Sequence, residues 1–187
     1  GHVYAGEEQL VKTAGQLLEA GETAIRDTLA GMLQAEDLIL DKDAIYLPPF
    51  YHAECGTSRR LRDLAESTGR SLFDGLFDPS SLTAETGIEY DEVQLAAIRQ
   101  AVTSKVMVLT GGPGTGKTTT TQGIIAALKK AGLRVLLAAP TGRAAKRMSE
   151  ATGMEAKTIH RLLEYNPQDG YKRNDENPLE GDALIVD

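Results

Sequence analysis

Residues Val106–Thr121, VMVLTGGPGTGKTTTT, decide the fold class of this chain. A short apolar run, Val106–Leu109, leads into a glycine-rich turn, and a segment of helical periodicity follows the turn. The turn matches the spacing G-x-x-x-x-G-K-[ST] of a phosphate-binding loop. Glycines let the backbone curl so that its N–H groups point at one anion, and the following helix adds its unpaired N–H groups and its positive dipole end. The stretch therefore predicts a strand, a phosphate-binding loop and a helix.

Two side chains of this loop add chemistry that the backbone lacks. Lys117 supplies a mobile positive charge for the β and γ phosphates of a nucleotide, and the Thr118 hydroxyl suits a Mg²⁺ ligand. We therefore expect the chain to bind ATP or ADP together with Mg²⁺.

Two further apolar runs follow on the C-terminal side of the loop. Arg134–Ala139 ends at Pro140, and Asp182–Asp187 carries an acid at its tip. Three apolar strands separated by helices predict a parallel sheet covered on both faces. Ligands of such sheets bind at the carboxyl ends of the strands, where Gly111, Pro140 and Asp187 all lie. Three strands are fewer than the roughly five or six of an average sheet, so we expect an unfinished sheet.

Charge is distributed unevenly along the chain. Residues 1–92 carry 7 Lys/Arg against 18 Asp/Glu, a net charge of −11, whereas residues 93–161 carry 11 against 2, a net charge of +9. The basic region coincides with the phosphate-binding loop and the segments after it, and a single nucleotide hardly needs nine excess positive charges. This distribution favours a polyanionic partner, a nucleic acid, for residues 93–161.

The N-terminal segment has the element order of a winged-helix-like module. Apolar residues recur at helical spacing in Glu7–Ala20 and Glu22–Glu36, and Leu38–Leu47 predicts a β-hairpin with the four-residue loop Asp41–Ala44. A further helix is predicted from about Phe50 to Ser67. A wing that binds DNA is one interpretation; because the segment is acidic, we favour a module that packs or docks against a protein partner.

We divide the chain into an accessory domain (1–68), a linker (69–89) and a partial motor domain (90–187). Gly69, Gly75, Pro79 and Gly87 interrupt the pattern between the two domains. Apolar residues within this linker (Leu72, Phe73, Leu76 and Phe77) are expected to attach it to one of the domains. The motor domain begins with a helix that carries Gln94, whose amide has the donor and acceptor that the N6/N7 edge of adenine requires.

Composition narrows the class of protein further. No apolar run approaches the ~20 residues of a membrane span, and the first residues have neither the basic nor the apolar region of a signal peptide. A single cysteine, Cys55, excludes an internal disulfide and fits a reducing compartment. We expect a cytoplasmic protein with no membrane partner.

The second half of the chain resembles the RecD-like DNA helicases of superfamily 1. The order and spacing of the matching segments cover residues 94–187, and APTGRAAKR followed by TIHRLL is far more specific than the phosphate-binding loop alone. The matching segments are Gln94 with Ala97-Ile98, the loop 111–119, Ala139–Ala145, Thr158–Leu162 and Leu184–Asp187. The N-terminal half, with GHVY and IYLPPFYHAE, is similar to the small helical domain that precedes the motor in longer bacterial members.

The resemblance implies roles for the matching positions. It implies that Lys117 and Asp187 are catalytic, that Gln94 contacts adenine, and that Asp187 joins Thr118 at the Mg²⁺ ion. The residues implied to hold the nucleotide are Gln94, Gly112, Pro113, Gly114, Thr115, Gly116, Lys117, Thr118 and Thr119. The residues implied to lie along single-stranded DNA are Pro140, Thr141, Gly142, Arg143, Lys146, Thr158 and His160.

The fold class implied is an α/β P-loop NTPase of the RecA-like type, truncated and preceded by a small helical, winged-helix-like domain. The activity implied is that of an ATP-dependent DNA helicase moving 5′ to 3′, with ATP and Mg²⁺ as cofactors and single-stranded DNA as partner. The sequence stops at Asp187, before the water-orienting glutamate and the later motifs of the family. We therefore expect this chain to bind ATP and DNA but scarcely to hydrolyse ATP without the remainder of the motor domains.

Two alternatives remain open from the sequence. An RNA helicase or another nucleic-acid-dependent NTPase would share these motifs, and only a preference for DNA or RNA would separate it from a DNA helicase. A non-hydrolysing, ATP-binding docking module is the alternative outside the enzymes. The basic stretch at Arg143–Arg147 argues against that module.

Overall fold

A computed structural model describes residues 2–67 and 78–187 of the chain. The chain divides into two compact units, Gly1–Ser67 and Thr68–Asp187, each with its own apolar core. None of the described helices is both long enough and apolar enough to cross a lipid bilayer. Residues 69–77 of the predicted linker, with Gly69, Leu72, Phe73, Gly75, Leu76 and Phe77, lie outside the described residues. The division into 1–68, 69–89 and 90–187 stays a prediction.

The first unit has the predicted order of two helices and a hairpin, with one added strand. The hairpin strands pair antiparallel and the added strand β1 joins them, in the order β1-β3-β2. Because Asp41 pairs with Ala44, the hairpin loop has two residues rather than the predicted four. The elements are β1 (Tyr4–Gly6), α1 (Glu7–Leu18), α2 (Glu22–Gln34), β2 (Ile39–Asp41), β3 (Ala44–Tyr46) and α3 (Pro48–Glu66).

The core of the first unit is small. Val11 of α1, Leu29 of α2 and Ile45 of β3 are buried together. On the surface, Arg26 of α2 pairs with Glu8 of α1 at 2.8 Å. An exposed pair of this kind contributes little to stability, so the apolar contacts hold the two helices together.

The second unit is an α/β unit with a parallel sheet at its centre. Its strands are β4 (Val135–Ala139), β5 (Ala156–Thr158), β6 (Tyr165–Asn166), β7 (Gly170–Tyr171) and β8 (Ala183–Val186). Its helices are α4 (Pro79–Thr86), α5 (Glu92–Thr103), α6 (Lys117–Lys130), α7 (Gly142–Thr152) and α8 (Ile159–Leu162). Helix α4 lies in the predicted linker and was not expected; its Leu82 is buried in the core of this unit.

The parallel sheet has the order β5-β4-β8. Strands β4 and β8 were predicted and β5 was not. The predicted strand at Val106–Leu109 is wrong, because this segment has no strand conformation and pairs with no strand in the described parts of the chain. A strand is held by hydrogen bonds to a neighbouring strand. An apolar run without such a neighbour stays irregular, and Val108 is 81% exposed.

The two faces of the sheet are covered unequally. Val135 and Leu137 of β4 pack into a core that includes Leu128 of α6 and Met148 of α7. Side chains alternate between the faces along each strand, so Leu136, which lies between these two and pairs with Leu184, points to the opposite face. On that face Leu184 and Val186 of β8 stay 49% and 54% exposed. The sheet is therefore well packed against α6 and α7 and incompletely covered on its other side.

Helices α5 and α6 approach each other closely at a glycine. A Cβ atom on Gly123 of α6 would lie 2.5 Å from Ile98 Cδ1 and 3.0 Å from the Tyr90 ring. Ile98 is fully buried in the same core. The absence of a side chain at Gly123 thus lets the helix after the phosphate-binding loop pack directly on α5.

A small hairpin corrects the prediction that residues 165–179 form a loop. Strands β6 and β7 pair antiparallel, with Tyr165 opposite Tyr171. Two-residue strands are too short to show an alternating pattern. The composition NPQDG is typical of a turn, whether or not two strands flank it.

Candidate nucleotide and nucleic-acid site

The glycine-rich loop has the backbone that a phosphate-binding loop requires. Gly114 and Gly116 have φ angles of +78° and +76°, a region in which side chains are strained. A Cβ atom on Gly111 would lie 2.6 Å from Thr115 Oγ1. That hydroxyl donates to the Gly112 carbonyl at 2.9 Å. The loop is therefore curled tightly on itself: Gly111 lacks the space for a side chain, and Gly114 has the space but a backbone conformation that strains one.

Helix α6 begins directly after this loop without a side-chain cap. Its N-cap residue is Gly116, whereas α4, α5, α7 and α8 are capped by Asp78, Asp91, Thr141 and Thr158. Among the helices described in the second unit, α6 alone presents an N-terminus that no side chain caps. The first N–H groups of a helix need an acceptor, and an anion at the positive end of the dipole supplies one. This end of α6 therefore fits the phosphates of a nucleotide.

Lys117 lies folded over the same loop. Its Nζ atom donates to the Gly111 carbonyl at 2.6 Å and to the Gly112 carbonyl at 2.7 Å. These contacts hold the ammonium group beside the glycines whose backbone is expected to surround phosphate. Binding a phosphate through Lys117 requires that at least part of this carbonyl contact be exchanged for phosphate oxygens.

The threonines after Lys117 divide into two pairs. The Thr120 and Thr121 hydroxyls donate to the carbonyls of Gly116 and Lys117, at 3.0 Å and 2.9 Å, so they are used within the helix. Thr118 is exposed and Thr119 is half-buried. Thr118 thus presents its hydroxyl at the surface, as its predicted role at Mg²⁺ requires.

Gln94 lies directly against the loop. A Cβ atom on Gly116 would be 2.4 Å from Gln94 Nε2, so this amide fills the space beside the positive-φ glycine. Its Oε1 atom accepts the Asp91 N–H at 3.1 Å, as part of the capping box that starts α5. The sequence-predicted neighbours Gln94 and Gly116 are therefore brought together, and the adenine contact of Gln94 stays a prediction.

The segments predicted to contact DNA meet at the carboxyl edge of the sheet. Strands β4 and β5 are parallel and pair Ala139 with Thr158, so α7 and α8 begin at adjacent positions. Each helix is capped by a threonine hydroxyl, which accepts Ala144 N–H in α7 and Arg161 N–H in α8, both at 3.2 Å. Each hydroxyl accepts one N–H and keeps its own O–H to donate, and threonine hydroxyls are common phosphate contacts in protein–DNA complexes.

Basic side chains lie on the exposed side of α7. Pro140, Thr141, Gly142, Arg143, Lys146 and Arg147 are all exposed, while Ala145 and Met148 form the buried side of α7. Lys146 Nζ lies 3.8 Å from Glu150 Oε1, and an exposed pair of this type is easily exchanged for a phosphate. The outer side of α7 therefore has the charge that a nucleic-acid backbone requires.

Asp187 follows β8 at the same edge of the sheet. Its backbone N–H donates to the Ala138 carbonyl at 3.1 Å, which extends the β4–β8 ladder by one residue, and Asp187 is exposed. Pro140, Thr158 and Asp187 thus occupy the carboxyl ends of the three paired strands. The role of Asp187 at a metal ion stays a prediction.

Sequence reasoning missed two exposed aromatic residues near this edge. His160 was predicted to lie near DNA, and the structure adds Tyr165 and Tyr171, whose rings contact the His160 ring. The two tyrosines flank the turn-forming residues 167–169. Two tyrosines on either side of a short turn-forming segment indicate a hairpin. Nothing in the sequence indicates that the hairpin contacts His160.

Comparison with known proteins gives one family match. Residues 94–187 match a family described as an AAA domain. This span begins at Gln94, includes the glycine-rich loop, α6, α7 and α8, and ends at Asp187.

Of three relatives, RecD2 and dda are DNA helicases by name, and the third is a subunit of the RecBCD enzyme. The chain is 36% identical to the ATP-dependent RecD2 DNA helicase of Deinococcus radiodurans, over 94% of this chain and 25% of that protein. It is 39% identical to the RecD subunit of the RecBCD enzyme of Mycolicibacterium smegmatis, over 51% of this chain and 22% of that protein. It is 48% identical to the ATP-dependent DNA helicase dda of Enterobacteria phage T4, over 33% of this chain and 14% of that protein. The chain thus spans about a quarter or less of the length of these relatives.

Proposed function

This chain belongs to the AAA domain family, which its residues 94–187 match, and from this premise we propose that it carries the ATP-binding and DNA-binding part of an ATP-dependent DNA helicase. The proposal agrees with the names of the RecD2 and dda relatives, each an ATP-dependent DNA helicase. The observation that carries it is the uncapped N-terminus of α6, which begins at Gly116 beside Lys117.

In the proposed site, the Gly112–Thr119 segment holds the nucleotide phosphates by backbone N–H groups and by the Lys117 ammonium. Thr118 and Asp187 provide the oxygen ligands that Mg²⁺ prefers, and Gln94 contacts the adenine. A bound Mg²⁺ ion would neutralise charge on the phosphates and so favour phosphoryl transfer. The residues of this chain bind and orient the nucleotide.

The DNA half of the proposal rests on α7 and α8. Since α7 and α8 begin side by side, the Thr141 and Thr158 hydroxyls and the exposed Arg143 and Lys146 side chains are proposed to form one polar, basic surface. Contacts of this kind position a sugar–phosphate backbone without reading its sequence, as a translocating motor requires. The acidic first unit is proposed to pack or dock against protein, since its charge opposes contact with phosphates.

A titration of the chain with MgATP tests the nucleotide half. We expect saturable binding that MgADP competes with, and Gly116→Ala should weaken it by about 10-fold or more. An alanine at this position must keep the left-handed backbone conformation of Gly116, which costs roughly 1–2 kcal/mol. Its methyl group would also collide with Gln94 Nε2, which lies beside the loop.

Gly132→Ala is the matched control, because Gly132 also has a positive φ, +76°, but has open space around its Cβ position and lies beyond the other end of α6. Equal loss of nucleotide affinity in the two variants would mean that general destabilisation causes the effect. Absence of nucleotide binding in the unaltered chain would reject the nucleotide half of the proposal.

The salt dependence of single-stranded DNA binding tests the other half. We expect weak binding that falls steeply with salt, because released counterions drive it. Arg143→Ala with Lys146→Ala should reduce the slope of log K against log salt by up to about one unit per lost phosphate contact. The control is Lys129→Ala with Lys130→Ala, which removes the same charge from exposed positions at the end of α6. An unchanged slope in the Arg143/Lys146 variant would place the DNA elsewhere.

The same titrations separate the two alternatives. A chain that binds RNA strands more tightly than DNA strands of equal length would favour the RNA helicase. A chain that binds MgATP but neither nucleic acid at low salt would favour the docking module.

A further inference from the structure

Three aromatic rings meet on the surface of the second unit, just after strand β5. The ring centroids of Tyr165 and Tyr171 are 4.9 Å apart, and the His160 ring lies 5.4 Å from Tyr165 and 6.1 Å from Tyr171. Pairs at these distances attract each other, so the three rings support one another. Tyr165 and Tyr171 are nevertheless 46% and 44% exposed. The cluster is therefore preformed and accessible to a flat ligand.

The backbone beneath these rings is held in a defined conformation. In the turn, Asn166 donates to Asp169 Oδ2 at 2.9 Å and accepts the Gln168 N–H at 3.0 Å. At the base of the hairpin, Arg173 Nε donates to Glu164 Oε1 at 2.8 Å. Side-chain bonds at both ends of the hairpin limit its motion, so a ligand that stacks on the rings has little ordering cost to overcome.

The hairpin also carries the acids Glu164 and Asp169, but basic side chains are in excess around the cluster. The hydrogen bond from Arg173 lowers the pKa of the Glu164 carboxyl, and the positive charges of Lys172 and Lys157 act in the same direction. Arg161 adds a further exposed positive charge on α8, one residue after His160. Exposed rings among positive charges are the combination by which proteins bind single-stranded nucleic acid, with stacking for the bases and charge for the phosphates.

The first unit contains a second aromatic cluster that offers a natural comparison. Tyr4 and Tyr46 are 5.4 Å apart, and Tyr46 and Tyr51 are also 5.4 Å apart. Burial raises the pKa of the Tyr46 hydroxyl, and the neighbouring Glu54 and Asp41 raise it further. This cluster therefore has acidic neighbours and is unsuited to a polyanion, although Tyr4 is as exposed as Tyr165, at 50% against 46%.

The position of the basic cluster completes the argument. His160 belongs to α8, which begins directly after β5, and β5 pairs with β4 so that α7 begins beside it. The rings thus follow directly on the Thr141 and Thr158 hydroxyls that are proposed to contact phosphates.

We propose that His160, Tyr165 and Tyr171 form a stacking platform for unpaired bases of single-stranded DNA. This inference rests on the proposed function, because it gives a binding site to the bases of the same strand whose phosphates are proposed to contact α7 and α8. Stacking on a platform of this kind tolerates every base, since each base has a flat face. The basic surface provides affinity for DNA that depends on salt. The platform would provide additional affinity that does not.

An affinity comparison between normal and abasic strands tests the proposal. Oligo(dT) and an abasic oligonucleotide of equal length carry the same phosphates, but only oligo(dT) has bases to stack. Tyr165→Ala with Tyr171→Ala should weaken oligo(dT) binding by roughly 5- to 150-fold per base unstacked, and should leave abasic binding and the salt slope unchanged. Tyr165→Phe with Tyr171→Phe keeps both rings and should bind both strands as the unaltered chain does.

A fluorescence measurement provides an independent readout. The sequence contains no tryptophan, so Tyr165→Trp introduces a single reporter ring into the cluster. Its emission should be quenched by oligo(dT) and not by the abasic strand, because only stacked bases contact it. Tyr4→Trp is the matched control, in the acidic cluster, and oligo(dT) should leave its emission unchanged.

The outcomes separate failure of this inference from failure of the proposed function. If neither strand binds the unaltered chain at low salt, the proposed function is wrong, and the proposal of a stacking platform is wrong as well. If both strands bind and the alanine variant loses affinity for both equally, or for neither, only the platform is wrong. If the alanine variant does not fold, the tryptophan variant decides, and equal quenching by the two strands would overturn the platform.

Discussion

Lys117→Ala is expected to weaken MgATP binding by about 1.5–3 kcal/mol, the scale of a hydrogen bond to a charged group, or roughly 10- to 150-fold in dissociation constant. The ammonium group of Lys117 lies 2.6 Å and 2.7 Å from the carbonyls of Gly111 and Gly112, so it is already positioned over the loop. Removing it leaves the N–H groups at the start of α6 as the remaining donors for the phosphates. Isothermal titration with MgATP and MgADP measures the loss.

The control for Lys117 is Lys129→Ala, which removes an exposed lysine from the last turn of the same helix. Its nucleotide affinity should stay within about twofold of the unaltered chain, because charge–dipole effects fall off within one helical turn. A thermal melt of both variants checks that each remains folded. Unchanged nucleotide affinity in Lys117→Ala would remove Lys117 from the site.

Ile98→Ala is expected to lower the free energy of unfolding of the second unit by about 2–5 kcal/mol, the range for removing a large aliphatic side chain from a core. Ile98 is 0% exposed and packs with Leu82 of α4 and Ile124 of α6. The cavity would lie where three helices meet, beneath the helix that carries the phosphate-binding loop. Urea unfolding followed by circular dichroism measures the change.

A second substitution sharpens the test of this packing. Gly123→Ala alone should destabilise the unit, because its Cβ atom would lie 2.5 Å from Ile98 Cδ1. Combined with Ile98→Ala, the same methyl group enters the space that the isoleucine vacated, so the two effects should not add. Val93→Ala on the exposed side of α5 is the control and should change stability by no more than about 0.5 kcal/mol. Additive losses in the double variant would mean that Ile98 and Gly123 are not in contact.

Much of the helical structure and of the loop could be predicted because the interactions that define them are local. A helix closes its hydrogen bonds within four residues and shows its buried side as a period in the sequence. α1, α2 and α3 were therefore predicted close to their observed ranges, and the helix that carries Gln94 and the helix after the loop were predicted in the right places. The phosphate-binding loop is equally local, since its glycines and the start of α6 lie within eight consecutive residues.

The strands were predicted less well because a strand depends on a partner that is distant in sequence. Val106–Leu109 is as apolar as β4, yet it pairs with no strand of the described chain. Conversely, β5 has only three residues and no clear pattern, and it forms because β4 is available beside it. Apolar composition predicts that a strand is able to form, while hydrogen-bonding neighbours determine whether it does.

The sequence by itself determined that this protein has a glycine-rich loop with the spacing of a phosphate-binding loop, a basic region after it and the RecD-like order of motifs, because residue types at fixed spacing carry that information. Only the tertiary structure decided that Gln94 fills the space beside Gly116, that α7 and α8 begin side by side, and that His160 joins Tyr165 and Tyr171. Each of these contacts depends on how separate elements pack, and packing is set by long-range burial and strand pairing that no local pattern specifies.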